Sequence, residues 1–336
     1  MGRKAAVTAV LACLALALPP LAAAAPGGIG PPEQSTASGE AISQLYWFVF
    51  GICAVVFVAV EAALVLFAIR FRRRRTTAEE AEGPQIHGNT RLEIIWTLVP
   101  ALMLVAVAVV VLVRIPAVQA TADGEDLRVR VEAHQFYWQY VYPNGVVSLD
   151  RLVLPVDQLV ELELTSSDVD HSWWVPDLTG KRDAIPGRIN TLRFRPDEEG
   201  TYEGKCAEFC GILHAVMPTE VEVVSASDYE AWLAEQEGQR SGEGLVALGR
   251  ATWESVCADC HGPQGEGDIG PPIAGSGTLT DLESLRELLE NGRNEPDVEG
   301  YMPPVGRGWP EFQFEALVAF VESDSNLAPA GGQDGR

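Results

Sequence analysis

The sequence predicts a multi-domain fold: a two-helix transmembrane hairpin, a β-sandwich of Greek-key type, and a small all-α module at the C-terminal end. Three observations carry this reading. Two apolar stretches, Leu45 to Ile69 and Ile94 to Val113, each have about the ~20 residues that a helix needs to cross a bilayer. Short runs of alternating apolar and polar residues follow between 127 and 224. Beyond residue 243 the pattern turns helical and closes on the stretch Phe312 to Val321. A chain of 336 residues has room for two or three such domains.

Charge divides the chain in the same place. Residues 1–120 carry 9 Lys/Arg and 7 Asp/Glu, a net charge of +2, whereas residues 121–336 carry 15 and 40, a net of −25. An acidic rear argues against nucleic acid and for a soluble exposed part or a basic protein partner.

Residues 1–25 read as a secretory signal. Arg3 and Lys4 form a basic start, Ala5 to Leu18 an apolar run, and Leu21 to Ala25 a small-residue cleavage region. Alternatives are an uncleaved anchor and, from Cys13 in VLAC, a lipid-attachment box. Residues 26–40 are then expected to be a flexible start of the mature chain.

The hairpin spans residues 41–115. Arg70 and Arg72 to Arg75 follow the first span and hold that end in the cytoplasm. The second span must return outward, which puts the acidic rear outside the cytoplasm of a bacterial cell membrane. Glu61 lies inside the first span, where an ionisable group marks either a functional site or a hydrogen bond to a neighbouring helix. Glu93 stands just before the second span, in LEIIWTLVP.

Residues 120–225 read as β structure. Leu127 to Ala133, Leu159 to Leu164 and Glu220 to Val224 alternate, and Asn144-Gly145 and Pro186-Gly187 mark turns. Within this region lies CAEFCGILHAVMP, Cys206 to Pro218. Two thiolates, an imidazole and a thioether select copper over hard cations, and the methionine argues against zinc. A thiol must lose its proton to bind, against a pKa near ~8.5, so the metal supplies the driving force. One cysteine suffices for a single copper. The second points to two coppers bridged by two sulfurs, which requires a further histidine. His171, at a strand end in VDHSWWVPDLTG, is the candidate, while His134 precedes an aromatic run and reads as structural. The alternative is a Cys206–Cys210 disulfide in an oxidising compartment.

Residues 226–243 are polar, helical at first and then Gly/Ser-rich, and read as a linker. A helical pattern runs from Gly244 to Val256 and leads into Cys257-Ala258-Asp259-Cys260-His261. This CxxCH pattern is that of c-type haem attachment, with two thioethers to the porphyrin and His261 as proximal iron ligand. Met302, in GYMPP, is the sole Met or His after His261 and is the candidate sixth ligand. A zinc or redox CxxC would lack further ligands.

These residues carry a resemblance. Cys206-x-Glu208-x-Cys210-x3-His214-x2-Met217, with His171 upstream in HSWWVP, resembles subunit II of the haem-copper cytochrome c oxidases over residues 40–225. Residues 244–325 resemble a class I cytochrome c domain, and the fusion resembles the caa3-type subunit II. The resemblance implies a cupredoxin fold and a dinuclear copper centre, CuA. Its ligands would be His171, Cys206, the Glu208 carbonyl, Cys210, His214 and Met217. The Glu208 side chain would help hold magnesium at the junction with subunit I. Haem c would be bound by Cys257 and Cys260 and ligated by His261 and Met302. The implied activity is that of cytochrome c oxidase, proton-translocating, with this chain as its electron-delivery subunit. Electrons would come from cytochrome c or another respiratory complex, pass through haem c and CuA to subunit I, and reduce O2 to water there. Subunits I and III are the implied partners, and no residue of this chain would itself be catalytic. Glu93, in ExxW, matches the family's glutamate at the mouth of a proton pathway.

One residue departs from the pattern. In AHQFYWQY, Phe136 stands where many members carry the tryptophan that receives electrons from soluble cytochrome c, while Trp138 is expected to pack beneath. A tethered cytochrome supplies another route, because donor binding becomes intramolecular. A CuA-bearing nitric oxide reductase subunit and a membrane-anchored carrier without a fixed partner are the rival readings. The intact copper ligands argue against a quinol oxidase subunit.

Overall fold

The computed structural model describes residues 28–71, 85, 87–118, 127–293 and 301–328. The signal segment 1–25 and Arg72 to Arg75 lie outside the described residues. The chain divides into two compact units: residues 1–33 with 43–107, and residues 34–42 with 108–336.

Helices α1 (Ala37–Arg70) and α2 (Thr90–Val118) are both long and apolar enough to cross a membrane. Each exceeds its apolar stretch because polar residues build its first turn. Thr36 caps α1, its Oγ1 accepting the Gly39 N–H at 2.9 Å. Asn89 does the same for α2: its side chain accepts the Leu92 N–H, and its own N–H donates to Glu93 Oε1 at 3.0 Å.

The expectation of a flexible start over residues 26–40 fails for residues 34–40. Ser35, Thr36 and Ser38 are buried. The Ser35 N–H donates to Asp177 O at 2.9 Å, the Asp197 N–H to Ser35 O at 3.2 Å, and the Thr36 hydroxyl to Leu178 O. The Ser35 backbone and the Thr36 hydroxyl, which look solvating in sequence, here satisfy loop groups of the β domain.

That domain contains β1 (Leu127–His134), β2 (Tyr137–Val141), β3 (Val147–Leu149), β4 (Arg151–Pro155), β5 (Val160–Ser166), β6 (His171–Trp174), β7 (Arg182–Ala184), β8 (Asn190–Phe194), β9 (Gly200–Cys206) and β10 (Pro218–Val224). They form two five-stranded sheets, ordered β3-β2-β1-β5-β8 and β4-β10-β9-β6-β7. The β1–β5 and β4–β10 pairs are parallel and the other pairs antiparallel, so the chain crosses between sheets as a cupredoxin-type sandwich does. The alternating residues explain the layering. Val160, Leu162 and Leu164 of β5 face inward, between partly exposed Glu161 and Glu163. They meet Val129, Val131, Leu152, Leu154, Trp173, Phe194 and Val221 in one apolar core. Gly145 and Gly187 take positive φ, 82° and 73°, at the two turns legible in the sequence.

Residues 226–243 are ordered against this sandwich. Helix α3 (Ala226–Gln236) starts from a Ser225 cap, and a 3-10 turn covers Glu237–Arg240. Trp232 packs its ring 5.0 Å from that of Tyr142, and Gln239 exchanges hydrogen bonds with both backbone groups of Val147. The C-terminal module follows as α4 (Gly242–Thr252), a π turn (Trp253–Cys257), α5 (Ala258–His261), α6 (Leu282–Asn291) and α7 (Glu311–Ser323). Helices α4 and α7 cross closely at Gly249, where a Cβ would lie 1.9 Å from Ala316 O. Only glycine permits that approach.

Candidate metal centre and haem-attachment turn

The copper-type cluster is assembled from two strand ends and one loop. β6 delivers His171 at its first residue, and β9 delivers Cys206 at its last. The Cys206 N–H donates to Met217 O at 3.0 Å and pins the loop that carries Glu208, Cys210, His214 and Met217 between β9 and β10. His171, Cys206, Cys210 and Met217 are all buried, the least of them 4% exposed.

The donors pair in a pattern. Cys206 Sγ lies 3.8 Å from His171 Nδ1 and 3.2 Å from the Glu208 carbonyl oxygen. Cys210 Sγ lies 3.7 Å from His214 Nδ1 and 3.9 Å from Met217 Sδ. The two sulfurs are 3.9 Å apart, far beyond the ~2.05 Å of a disulfide, and both cysteines are free. All six sequence-selected residues therefore meet in one place. The Glu208 side chain is exposed, and only its carbonyl faces the cluster.

The electrostatics fit a cation at this position. The Cys210 thiol hydrogen-bonds to Cys206 and drives the Cys206 thiol well below the usual thiol range, with His171 and backbone donors adding to the drop. The same bond pushes Cys210 up. Two sulfurs 3.9 Å apart can both be deprotonated only with a cation against them. Soft sulfur and imidazole donors, converging and all buried but the half-buried His214, fit copper.

Sequence reasoning missed the shell behind His171. Asp168 accepts from His171 Nε2 at 2.9 Å, from the Gln135 N–H at 2.7 Å and from the Val169 N–H at 2.6 Å. Burial opposes charge on both groups. The mutual hydrogen bond and attraction, joined by the Val169 and Gln135 N–H groups at Asp168 and by Cys206 at His171, together outweigh it, lowering Asp168 and raising His171. The contact fixes Nε2 as the proton-bearing nitrogen and turns Nδ1 toward the sulfurs. A carboxylate three residues before the histidine was the available signal, but no spacing rule singles it out. Trp138 is fully buried, its ring 6.0 Å from that of His171. His134 stands apart from the donors: its Nδ1 lies 2.7 Å from Ser167 Oγ, its ring stacks on Tyr137, and burial lowers it to about 4.

Cys257, Cys260 and His261 share one turn at α5. Burial raises both thiols, Cys257 to about 12. His261 Nδ1 donates to Pro271 O at 2.8 Å, leaving Nε2 for an iron. Gly270 makes this possible, since a Cβ there would lie 2.8 Å from His261 Cε1. Met302 packs at the edge of the module's apolar core, and its backbone pairs with that of Arg293 at 2.9 and 3.0 Å. Two thiols, one oriented imidazole and a thioether beside an apolar core fit a covalently held haem.

Phe136 lines a cleft of about 540 Å³ with Leu213 and Val216 on one side and Ser255 and Asp259 on the other. The departure from the family pattern therefore faces the haem-attachment segment. Of the hairpin carboxylates, Glu93 accepts the Asn89 N–H as part of the α2 cap, and Glu61 lies within α1.

A two-helix anchor, a cupredoxin-type sandwich with a thiol–imidazole–thioether cluster, and a helical module with a haem-attachment turn define a class, the membrane-anchored redox subunits. Comparison with known proteins narrows it. Residues 24–113 match the model of the cytochrome c oxidase subunit II transmembrane domain, and residues 145–224 that of its periplasmic domain. Residues 244–321 match the model described as cytochrome c oxidase, cbb3-type, subunit III. Cytochrome c oxidase subunit 2 of Alkalihalophilus pseudofirmus is 33% identical, over 87% of this chain and 91% of its own. That of Cereibacter sphaeroides is 33% identical over 63% and 82%. The crystal structure of the periplasmic domain of subunit II of the Bradyrhizobium japonicum oxidase is 28% identical, covering 36% of this chain and all of its own, with a TM-score of 0.35. The chain belongs to the cytochrome c oxidase subunit 2 family, with a cytochrome c-type domain at its C-terminal end.

Proposed function

We propose that this chain delivers electrons to the dioxygen-reducing subunit of a haem-copper oxidase, through a covalently attached haem c and a dinuclear copper centre. When bound, the two groups supply successive one-electron couples between an external donor, cytochrome c or another respiratory complex, and subunit I, where O2 is reduced to water with proton pumping. The observation that carries the reading is the pairing of donors, each cysteine sulfur set against its own Nδ1 and its own weak ligand.

Every residue has a task in this account. Cys206 and Cys210 would hold the copper centre through their sulfurs. His171 and the Glu208 carbonyl belong to the Cys206 side, and His214 and Met217 to the Cys210 side. Burial of His171, Cys206, Cys210 and Met217 keeps water from these donors and limits rearrangement when charge changes. Asp168 holds the proton on His171 Nε2. Cys257 and Cys260 would carry a haem as thioethers, and His261 and Met302 would hold its iron. The Glu208 side chain, exposed beside the cluster, is free to share magnesium with subunit I. Glu93 is assigned to the entrance of a proton pathway, a role its capping bond does not preclude. The functional modules are residues 41–115, 120–225 and 244–325, joined by 226–243, behind a signal at 1–25. Subunits I and III are the partners, and the soluble modules lie on the extracytoplasmic side of a bacterial cell membrane.

Metal analysis with EPR of the haem-matured, copper-loaded chain tests the reading. The expected result is two coppers and one haem per chain, with one unpaired electron shared over both coppers. One copper with an ordinary single-site spectrum would overturn the bridging assignment.

A further inference from the structure

The cytochrome module meets the copper domain at a buried apolar seam. Tyr137, Val147 and Leu149 belong by sequence to the β-sandwich, yet they complete the apolar core of the cytochrome module, together with Trp309, Val305 and Phe314. Tyr137 is fully buried there. Its hydroxyl donates to Val305 O at 2.6 Å and accepts from Trp309 Nε1 at 2.7 Å. Beside it, Arg307 Nη1 donates to Ser167 O at 3.2 Å. On the cytochrome side, all three contacts come from the few residues after Met302. On the copper side they reach the layer behind His171. Tyr137 stacks on His134 with ring centroids 4.6 Å apart, and Ser167 precedes Asp168, which holds His171 Nε2.

We propose that Tyr137, seconded by Trp309 and Arg307, is a positioning residue that locks the Met302 turn to the layer behind the copper ligand His171, so that the two redox modules move as one body. The inference rests on the functional reading above, because it assigns Met302 and His171 to the two centres. A phenol that serves one donor and one acceptor across an interface fixes both the orientation and the separation of what it joins. Electron tunnelling falls steeply with distance, so a locked interface keeps transfer fast on every turnover. A loose tether would have to wait for each encounter.

Tyr137→Phe removes only the hydroxyl and leaves Val305 O and Trp309 Nε1 buried without this partner. A loss of that kind shifts an equilibrium by about tenfold or more. Tyr202→Phe is the control, since its hydroxyl donates to Glu198 O within the copper domain. Arg307→Ala, at an exposed position, serves if Tyr137→Phe does not fold. The test uses the full chain with both centres and reads two quantities: amide hydrogen exchange over residues 147–149 and 305–309, and the magnetic dipolar distance distribution between haem and copper. The proposal expects Tyr137→Phe to speed exchange at both segments about tenfold and to broaden the distance distribution, with the haem and copper spectra unchanged and Tyr202→Phe silent. A parent chain with both centres and a Tyr137→Phe variant that moves neither quantity overturns the positioning role alone. A parent chain that takes up neither centre overturns the functional reading, and the positioning role with it.

Discussion

Asp168 offers the sharpest test of how the copper site is held. Its side chain is 5% exposed and its two oxygens serve four neighbours: Oδ1 faces His171 Nε2, the Val169 N–H and the Ser166 hydroxyl, and Oδ2 takes the Gln135 N–H. The two N–H groups, one at each oxygen, are donors, so Asp168→Asn has no harmless orientation. Whichever way the amide turns, its NH2 faces an N–H. Losing one buried acceptor in this way costs about 1–3 kcal/mol. Losing the partner that orients a metal-binding histidine typically weakens the metal by about 10–100-fold, or ~1.4–2.7 kcal/mol, so the two routes agree in size. Copper affinity is measured by competition with a chelator, in the full chain with haem attached. The expected result for Asp168→Asn is a 10–100-fold weaker site with a normal haem spectrum. Unchanged copper affinity would refute the claim that this carboxylate sets the tautomer and aim of His171.

Other expectations follow from the same geometry. Cys210→Ser removes one bridge and should abolish the dinuclear copper spectrum while haem c, held by Cys257 and Cys260, is unaffected; optical and EPR spectra check this. Gly249→Ala sets a methyl carbon against Ala316 O and should cost about 1–3 kcal/mol, or roughly 4–8 °C of melting temperature per kcal/mol for a module of this size, seen by calorimetry. Asp150 gives a pH dependence. Burial pushes it up to about 7 from an ordinary 3.8, helped by Asp259 and opposed by hydrogen bonds from the Trp138 N–H and Ser255. A raised folded-state value means that the folded form keeps a proton which the unfolded form has lost. Stability should therefore fall as pH rises from about 4 to about 7 and then level off, by up to about 1.4 kcal/mol per pH unit. Asp150→Asn should flatten that part of the melting-temperature profile.

The parts legible in the sequence are those that depend on local pattern. Hydropathy found both apolar helices, alternation found β1, β5 and β10, and ligand spacing brought Cys206, Cys210, His214 and Met217 together, because all four lie within twelve residues at the end of β9 and the loop after it, while Glu208 came from the family resemblance. His171 came from the same reasoning, as a strand-end histidine. What escaped depends on contacts between distant segments. Asp168 acts through the loop that joins β5 to β6, where the carboxylate's direction is set by Gln135, 33 residues away. Tyr137 sits in an aromatic run that reads as core of its own domain, yet it fills a gap 168 residues further on. Ser35 and Thr36 look like solvated linker and instead cap and dock. Residues 226–243 keep the polar composition of a linker, but Tyr229, Trp232 and Gln239 supply enough buried contact to order them.

The account's central claim is that electrons cross from the C-terminal haem to the copper cluster within one chain. The direct measurement is photochemical injection of one electron into the holo chain, followed optically at the haem and copper bands over a range of protein concentrations. The expected result is haem reoxidation matched by copper reduction, at a rate independent of concentration. A rate proportional to protein concentration, or a haem that keeps its electron while the copper stays oxidised, would contradict the account.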